Sequence, residues 1–100
     1  MAAIEKLETG YFRVPLPVPL SDSTHGTITS FELVTARVRD ADGAEGVGYT
    51  YTTGHGGGAI AHLLARDITG LVVGQDADRI EQLWQKVWWG LHYGGRGGPT

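Results

Sequence analysis

The stretch Thr27–Thr52, TITSFELVTARVRDADGAEGVGYTYT, decides the fold. Val34, Ala36 and Val38 alternate with Thr35, Arg37 and Arg39. That is the period-two pattern of a strand with one buried face, so a strand is predicted over Thr27–Asp40. Asp40-Ala41-Asp42-Gly43 follows as a turn whose Asp-Gly pair supplies the positive φ of a hairpin. A partner strand is predicted over Ala44–Thr52, with Val47, Tyr49 and Tyr51 on one face. Gly46 and Gly48 on its other face predict that something packs closely there.

On the N-terminal side, Ile4–Val14 carries the strand formers Thr9, Tyr11, Phe12 and Val14. Phe12 and Val14 share one face, Leu7 and Tyr11 the other. This completes a three-stranded antiparallel meander. Between the first two strands, Pro15, Pro17 and Pro19 impose a stiff extended path that cannot feed a sheet ladder. Ser21–Gly26 then reads as a polar loop.

On the C-terminal side the period changes. Ile60, Leu63, Leu64, Ile68 and Leu71 form one helical face, which Gly70 is expected to end. After Leu71-Val72-Val73-Gly74, Asp76 is the expected N-cap of a second amphipathic helix. Its stripe is Ile80, Leu83, Trp84, Val87, Trp88 and Leu91. Strands followed by at least two helices give an α+β domain with the helices on one sheet face.

Composition narrows the function. One hundred residues, 41% hydrophobic and with net charge −3, suit one globular domain and neither a disordered chain nor a basic nucleic-acid binder. A (β/α)8 barrel needs roughly 200 residues or more. No run approaches the roughly 18 apolar residues of a membrane span, and Met1–Lys6 lacks a signal-peptide pattern. With no cysteine there is no disulfide and no Cys-ligated zinc, which suits a reducing cytosol. Sixteen glycines are many. Nine fall in two clusters, Gly54–Gly58 and Gly90–Gly98, which mark loops needing positive φ or close backbone approach. The ending Gly97-Gly98-Pro99-Thr100 resembles a helix start more than a terminus, so the chain is expected to be part of a longer one.

Candidate chemistry is sparse. His25, His55, His62 and His92 show no HxH, HxxxH or HExxH spacing, so no metal site is expected within the chain. His62 lies off its helix stripe and reads as solvent-facing. Gly54-His55-Gly56-Gly57-Gly58 precedes a helix, so its amides offer an anion site; the alternative is a flexible connection. It is neither a Walker A loop nor a dinucleotide fingerprint. Asp40, Asp42 and Glu45 cluster at a turn, where solvated charges normally go, and no nucleophile–base pair presents itself. Trp84 and Trp88 read as core or interface packing. Trp89, beside the stripe, is expected to meet a partner surface. A sugar-stacking platform is the alternative use of these tryptophans.

Taken in order, several segments resemble the N-terminal capping domain of the mandelate racemase/muconate lactonizing enzyme branch of the enolase superfamily. They are Arg13-Val14-Pro15-Leu16, Ser21-Asp22-Ser23, the hairpin through Asp42-Gly43 to Glu45-Gly46-Val47-Gly48-Tyr49, Gly74-Gln75-Asp76 with Ile80-Glu81-Gln82-Leu83-Trp84, and Gly94-Gly95-Arg96-Gly97-Gly98. The resemblance covers essentially residues 1–100. It implies a C-terminal (β/α)7β barrel, absent from these residues, that supplies three carboxylate ligands for Mg²⁺ and the Lys or His acid/base groups. There a base removes the proton α to a substrate carboxylate and the metal stabilises the enediolate.

By the same resemblance, this chain supplies two mobile loops, Leu20–Gly26 and Tyr51–Gly57, that close the site and shape specificity. The candidate substrate-contact residues are Ser21, Asp22, Thr24, His25, Tyr51, Thr53 and His55; no catalytic residue and no metal ligand is expected. Their polarity favours a sugar acid, and hence an acid-sugar dehydratase, with a racemase/epimerase or cycloisomerase as alternatives. The expected partners are the chain's own barrel domain, a sugar-acid carboxylate and further copies of itself, in the cytoplasm, without nucleic acid or membrane. A standalone α+β binding module without catalysis is the competing reading.

Overall fold

The structure, a computed structural model, describes residues 2–92; the glycine cluster at 94–98 and the Pro99-Thr100 ending lie outside the described residues. Three antiparallel strands in the order β1-β2-β3 form the sheet: β1 (Ile4–Asp22), β2 (Gly26–Asp40) and β3 (Glu45–Thr52). The meander is therefore the one predicted, and β2 and β3 fall within a residue of their expected bounds. The β2–β3 turn closes on Asp40. Its carboxylate accepts from the Asp42 and Ala44 amides at 2.9 and 3.0 Å, and Gly43 takes φ 91°.

β1 is longer than expected, because it runs on through the prolines. Pairing stops at Pro15↔Ser30 and resumes at Leu20↔Ile28, so Leu16–Pro19 sit in a bulge where no ladder bond is asked of Pro17 or Pro19. The polar loop is consequently reduced to a hairpin tip. Ser21 and Asp22 pair with Thr27 and Gly26, and only residues 23–25 turn.

The helices cover the face that carries Glu32, Val34, Ala36 and Val38. α1 (Gly57–Leu63), a π turn (Leu64–Ile68) and α2 (Thr69–Val72) form one continuous helical run. Gly70 does not end it. The run leaves the helix at Val73 (ψ 133°) and turns on Gly74 at φ 91°, so Gly74 is the left-handed stop. The π turn is marked by the Thr69 hydroxyl, which donates to the Leu64 carbonyl five residues back at 2.7 Å.

Residues 74–77 then zip against the start of β1. Ile4 N donates to Gln75 O, Gly74 N to Ile4 O and Ala77 N to Ala2 O, at 2.7, 2.7 and 2.9 Å. α3 (Ile80–Gly90) follows. Asp76 does not cap it. Its carboxylate is used in a local turn, accepting from the Asp78 amide at 3.0 Å and pairing with the Arg79 guanidinium at 3.5 Å, and Arg79 occupies the cap position without a side-chain capping hydrogen bond. α3 approaches α2 so closely that a Cβ on Gly90 would sit 2.8 Å from Leu71 Cδ1.

Ile4, Val34 and Val72 are the buried apolar residues among those described. One expectation about packing is corrected and another narrowed. Among the described residues nothing lies within 4 Å of a Cβ built on Gly46 or Gly48, because the described helices do not descend onto that part of β3. Instead a hollow of about 250 Å³ opens between Gly48 and Val34 on the sheet and Ile60, Leu64 and Val87 on the helices. Trp84, 63% exposed, is outside the core of this chain; it stacks on Trp88, whose ring meets Trp89 edge-on at 4.6 Å. No helix among the described residues is long and apolar enough to cross a membrane.

Candidate functional site

β3 runs back along β2 and ends at Thr52, opposite Glu32. The β1–β2 hairpin tip lies at the same end of the sheet, six residues further along β2, about 20 Å at the usual strand rise. The two predicted loops thus share one end of the sheet, with the hairpin overhanging the 53–56 loop.

At the tip, Asp22 organises the turn. Its Oδ1 accepts from the Thr24 and His25 amides at 2.8 and 2.5 Å, and the His25 Nδ1 lies 3.0 Å from Oδ2. These bonds, the His25 amide first, lower the pKa of the Asp22 carboxyl. Ser21, Asp22, Thr24 and His25 are all exposed. At the second loop, Thr53 and His55 are exposed, and Gly54 and Gly56 take φ 124° and 92°, conformations open to glycine at no steric cost. Tyr51 stands apart from both groups. It lies on the sheet face away from the helices, stacked on Phe31 at 5.4 Å, over a hollow of about 290 Å³ lined by Val14, Leu33 and Tyr49. The structure gathers Thr53 with His55 and Asp22 with His25, and leaves Tyr51 on an apolar surface.

Two of the Gly54–Gly58 amides are already engaged within the chain. The Gly57 amide already donates to a carboxylate of the chain itself, Glu32 Oε1, at 2.9 Å, and the Gly54 amide to Thr52 Oγ1 at 3.2 Å. Glu32 is only 2% exposed. It also accepts from Thr52 Oγ1 at 2.7 Å and from the Tyr11 hydroxyl, and the Arg13 guanidinium lies 3.8 Å away. Donation from Tyr11, then Thr52, then the Gly57 amide lowers its pKa to about 2 against burial, which acts the other way. The bond to Glu32 raises the Tyr11 phenol in turn. Sequence reasoning passed over this cluster. The available signal was a glutamate in phase with Val34, Ala36 and Val38, on the inward face of the clearest strand.

No three His, Asp or Glu side chains gather as a metal site among the described residues.

Residues 6–92 match the model of the mandelate racemase/muconate lactonizing enzyme N-terminal domain. Over 95% of its length the chain is 54% identical to a 3,6-anhydro-α-L-galactonate cycloisomerase of Streptomyces coelicolor, covering 26% of that protein. It is 33% identical, again over 95% of its length, to an L-talarate/galactarate dehydratase of Salmonella typhimurium, covering 25% of it. Among solved structures, a racemase from Streptomyces coelicolor with bound magnesium superposes with a TM-score of 0.93 at 53% identity, over 96% of this chain and 27% of that one. The chain therefore spans about a quarter of the length of these relatives.

Proposed function

The chain belongs to the mandelate racemase/muconate lactonizing enzyme N-terminal domain family, and from that premise we propose that it caps the active site of a longer magnesium-dependent enzyme acting on a sugar-acid carboxylate. The observation that carries the reading is the placement of two polar, exposed groups, Asp22/His25 and Thr53/His55, at the same end of the sheet, about 20 Å apart along β2. Hydroxyls and imidazoles at that end suit a hydroxylated substrate, and two loops on a rigid sheet suit a lid that excludes water. Ser21, Asp22, Thr24, His25, Thr53 and His55 are the proposed substrate contacts. Tyr51 belongs to the proposal only through its apolar face.

Proton abstraction α to the carboxylate falls to residues of the proposed barrel domain, while residues 1–100 bind and orient. Within the sugar-acid class, cycloisomerisation is the first reading, supported by the relative at 54% identity. Dehydration is the second, supported by the relative at 33% identity and by the polar loops. A barrel domain of the same chain, further copies of it and a cytoplasmic location complete the proposal.

The test is turnover by the full-length protein, with Mg²⁺, of a panel holding 3,6-anhydro-galactonate, galactarate, talarate and aromatic acids. The expected result is turnover of at least one sugar acid. His25→Ala and His55→Ala should each lower kcat/KM about two- to tenfold and shift preference within the panel, the scale of one neutral hydrogen bond. Turnover confined to aromatic acids, or loop variants with wild-type preference, contradicts the reading.

A further inference from the structure

The 53–56 loop begins at Thr52 and ends at Gly57, and both ends are held by the same atom. Glu32 Oε1 accepts from Thr52 Oγ1 at 2.7 Å and from the Gly57 amide at 2.9 Å. Thr52 Oγ1 in turn accepts from the Gly54 amide at 3.2 Å, so a chain of bonds runs from inside the loop to the buried carboxylate. Tyr11 holds the other oxygen, Oε2, from β1, and Arg13 stands behind it at 3.8 Å. Three strands and a helix start thus meet on one side chain.

We propose that Glu32 is the positioning residue of the second lid loop: its buried carboxylate anchors both ends of residues 53–56 and thereby sets the stance of Thr53 and His55. The consequence for substrate rests on the lid reading above; the anchor itself does not.

Three features argue for this assignment over simple core filling. First, a carboxylate is costly to bury unless its lone pairs are met, and an apolar side chain would fill the space without that cost. Second, the acceptor chemistry fits. An ionised carboxylate only accepts, and every group that reaches this one donates: a phenol, a hydroxyl, an amide and a guanidinium. Third, Gly57 is shaped to the anchor. A Cβ there would lie 2.9 Å from both Glu32 Cδ and Tyr11 Cε1, so only a residue without a side chain lets the backbone approach. The charged and titratable groups facing Glu32 are Tyr11 and Arg13 from β1; β3 and α1 present the Thr52 hydroxyl and the Gly57 amide.

The test uses the full-length protein and the variant Thr52→Val, which removes the relay hydroxyl at nearly constant volume, beside Glu32→Gln. Amide hydrogen exchange and steady-state kinetics are measured on a turned-over sugar acid. Thr52→Val should speed exchange of the Gly54–Gly57 amides about two- to tenfold, leaving β2 protected. It should raise KM by a similar factor with a smaller change in kcat, and that KM effect should vanish in a Thr53→Val/His55→Ala background, because all three act through one loop. Unchanged exchange in the loop for both variants overturns the anchor. A KM effect that persists without the Thr53 hydroxyl and the His55 imidazole overturns positioning through the loop. Faster exchange with wild-type KM and preference upholds the anchor and overturns the lid reading, so the two failures are told apart.

Discussion

At residue scale the molecule turns on Glu32 and Gly57. The Glu32 pKa is lowered from 4.5 to about 2 by its donors. A depressed carboxyl contributes stability that is fully present above its unfolded value and is lost as pH falls from about 4.5 towards 2. The Tyr11 phenol is displaced the other way, above 10, so its share is present below pH 10 and lost only as pH rises through the raised value. The urea midpoint of the wild-type should therefore fall more steeply between pH 4.5 and 2 than that of Glu32→Gln; equal slopes contradict the ionised anchor. Steric demand gives a second expectation. Gly57→Ala forces a Cβ against Glu32 and Tyr11 and should cost about 1–3 kcal/mol. At Gly58 the nearest atom is Tyr11 Oη at 3.9 Å, so Gly58→Ala should be neutral or gain up to about 1 kcal/mol from helix propensity. Thermal denaturation of the pair separates close approach from a general demand for glycine. Only the inward phase of Glu32 was legible beforehand, because a single inward glutamate acquires its meaning only when α1 and the end of β3 arrive above it.

At the scale of elements, the strands were legible and the helix ends were not. Val34, Ala36 and Val38 fix the face of β2, and Asp42-Gly43 fixes the turn, so register follows from local chemistry. The extent of β1 was hidden, because a bulge absorbs the prolines that argue against a strand. Gly70 misled for a similar reason. A glycine near the end of an apolar stripe reads as a stop, yet here the π turn over Leu64–Ile68 carries the helical run past it to Gly74. Gly70 lies inside α2, is exposed, and among the described residues has open space where a Cβ would go. Gly70→Ala should accordingly raise stability by about 0.5–1 kcal/mol in chemical denaturation. A loss of stability would restore the left-handed stop at Gly70.

At the scale of the whole molecule, the domain is thin. Its radius of gyration is 15.7 Å, against about 13 Å for a compact 100-residue domain. Tyr49 is 74% exposed and Trp89 62%, and both stand among other exposed apolar residues, Val47 and Tyr51 for one, Trp84 for the other. Surfaces of this kind are covered in stable proteins. The 1–100 chain on its own should therefore self-associate in sedimentation and bind dyes that report apolar surface; a clean monomer at high concentration would show these faces need no cover. The capping role proposed above was legible only through the family resemblance, which pointed to both loops and to their polar residues. Their arrangement was not, because only the register of β1 on β2 shows that Asp22 and His25 overhang Thr53 and His55 by about 20 Å. The most direct measurement is a crystal structure of the full-length protein with Mg²⁺ and a turned-over sugar acid. The account predicts a polar atom of Thr53 or His55 within about 3.2 Å of a substrate oxygen, with the hairpin tip folded over the same ligand. A bound sugar acid with both loops turned away from it would contradict the account.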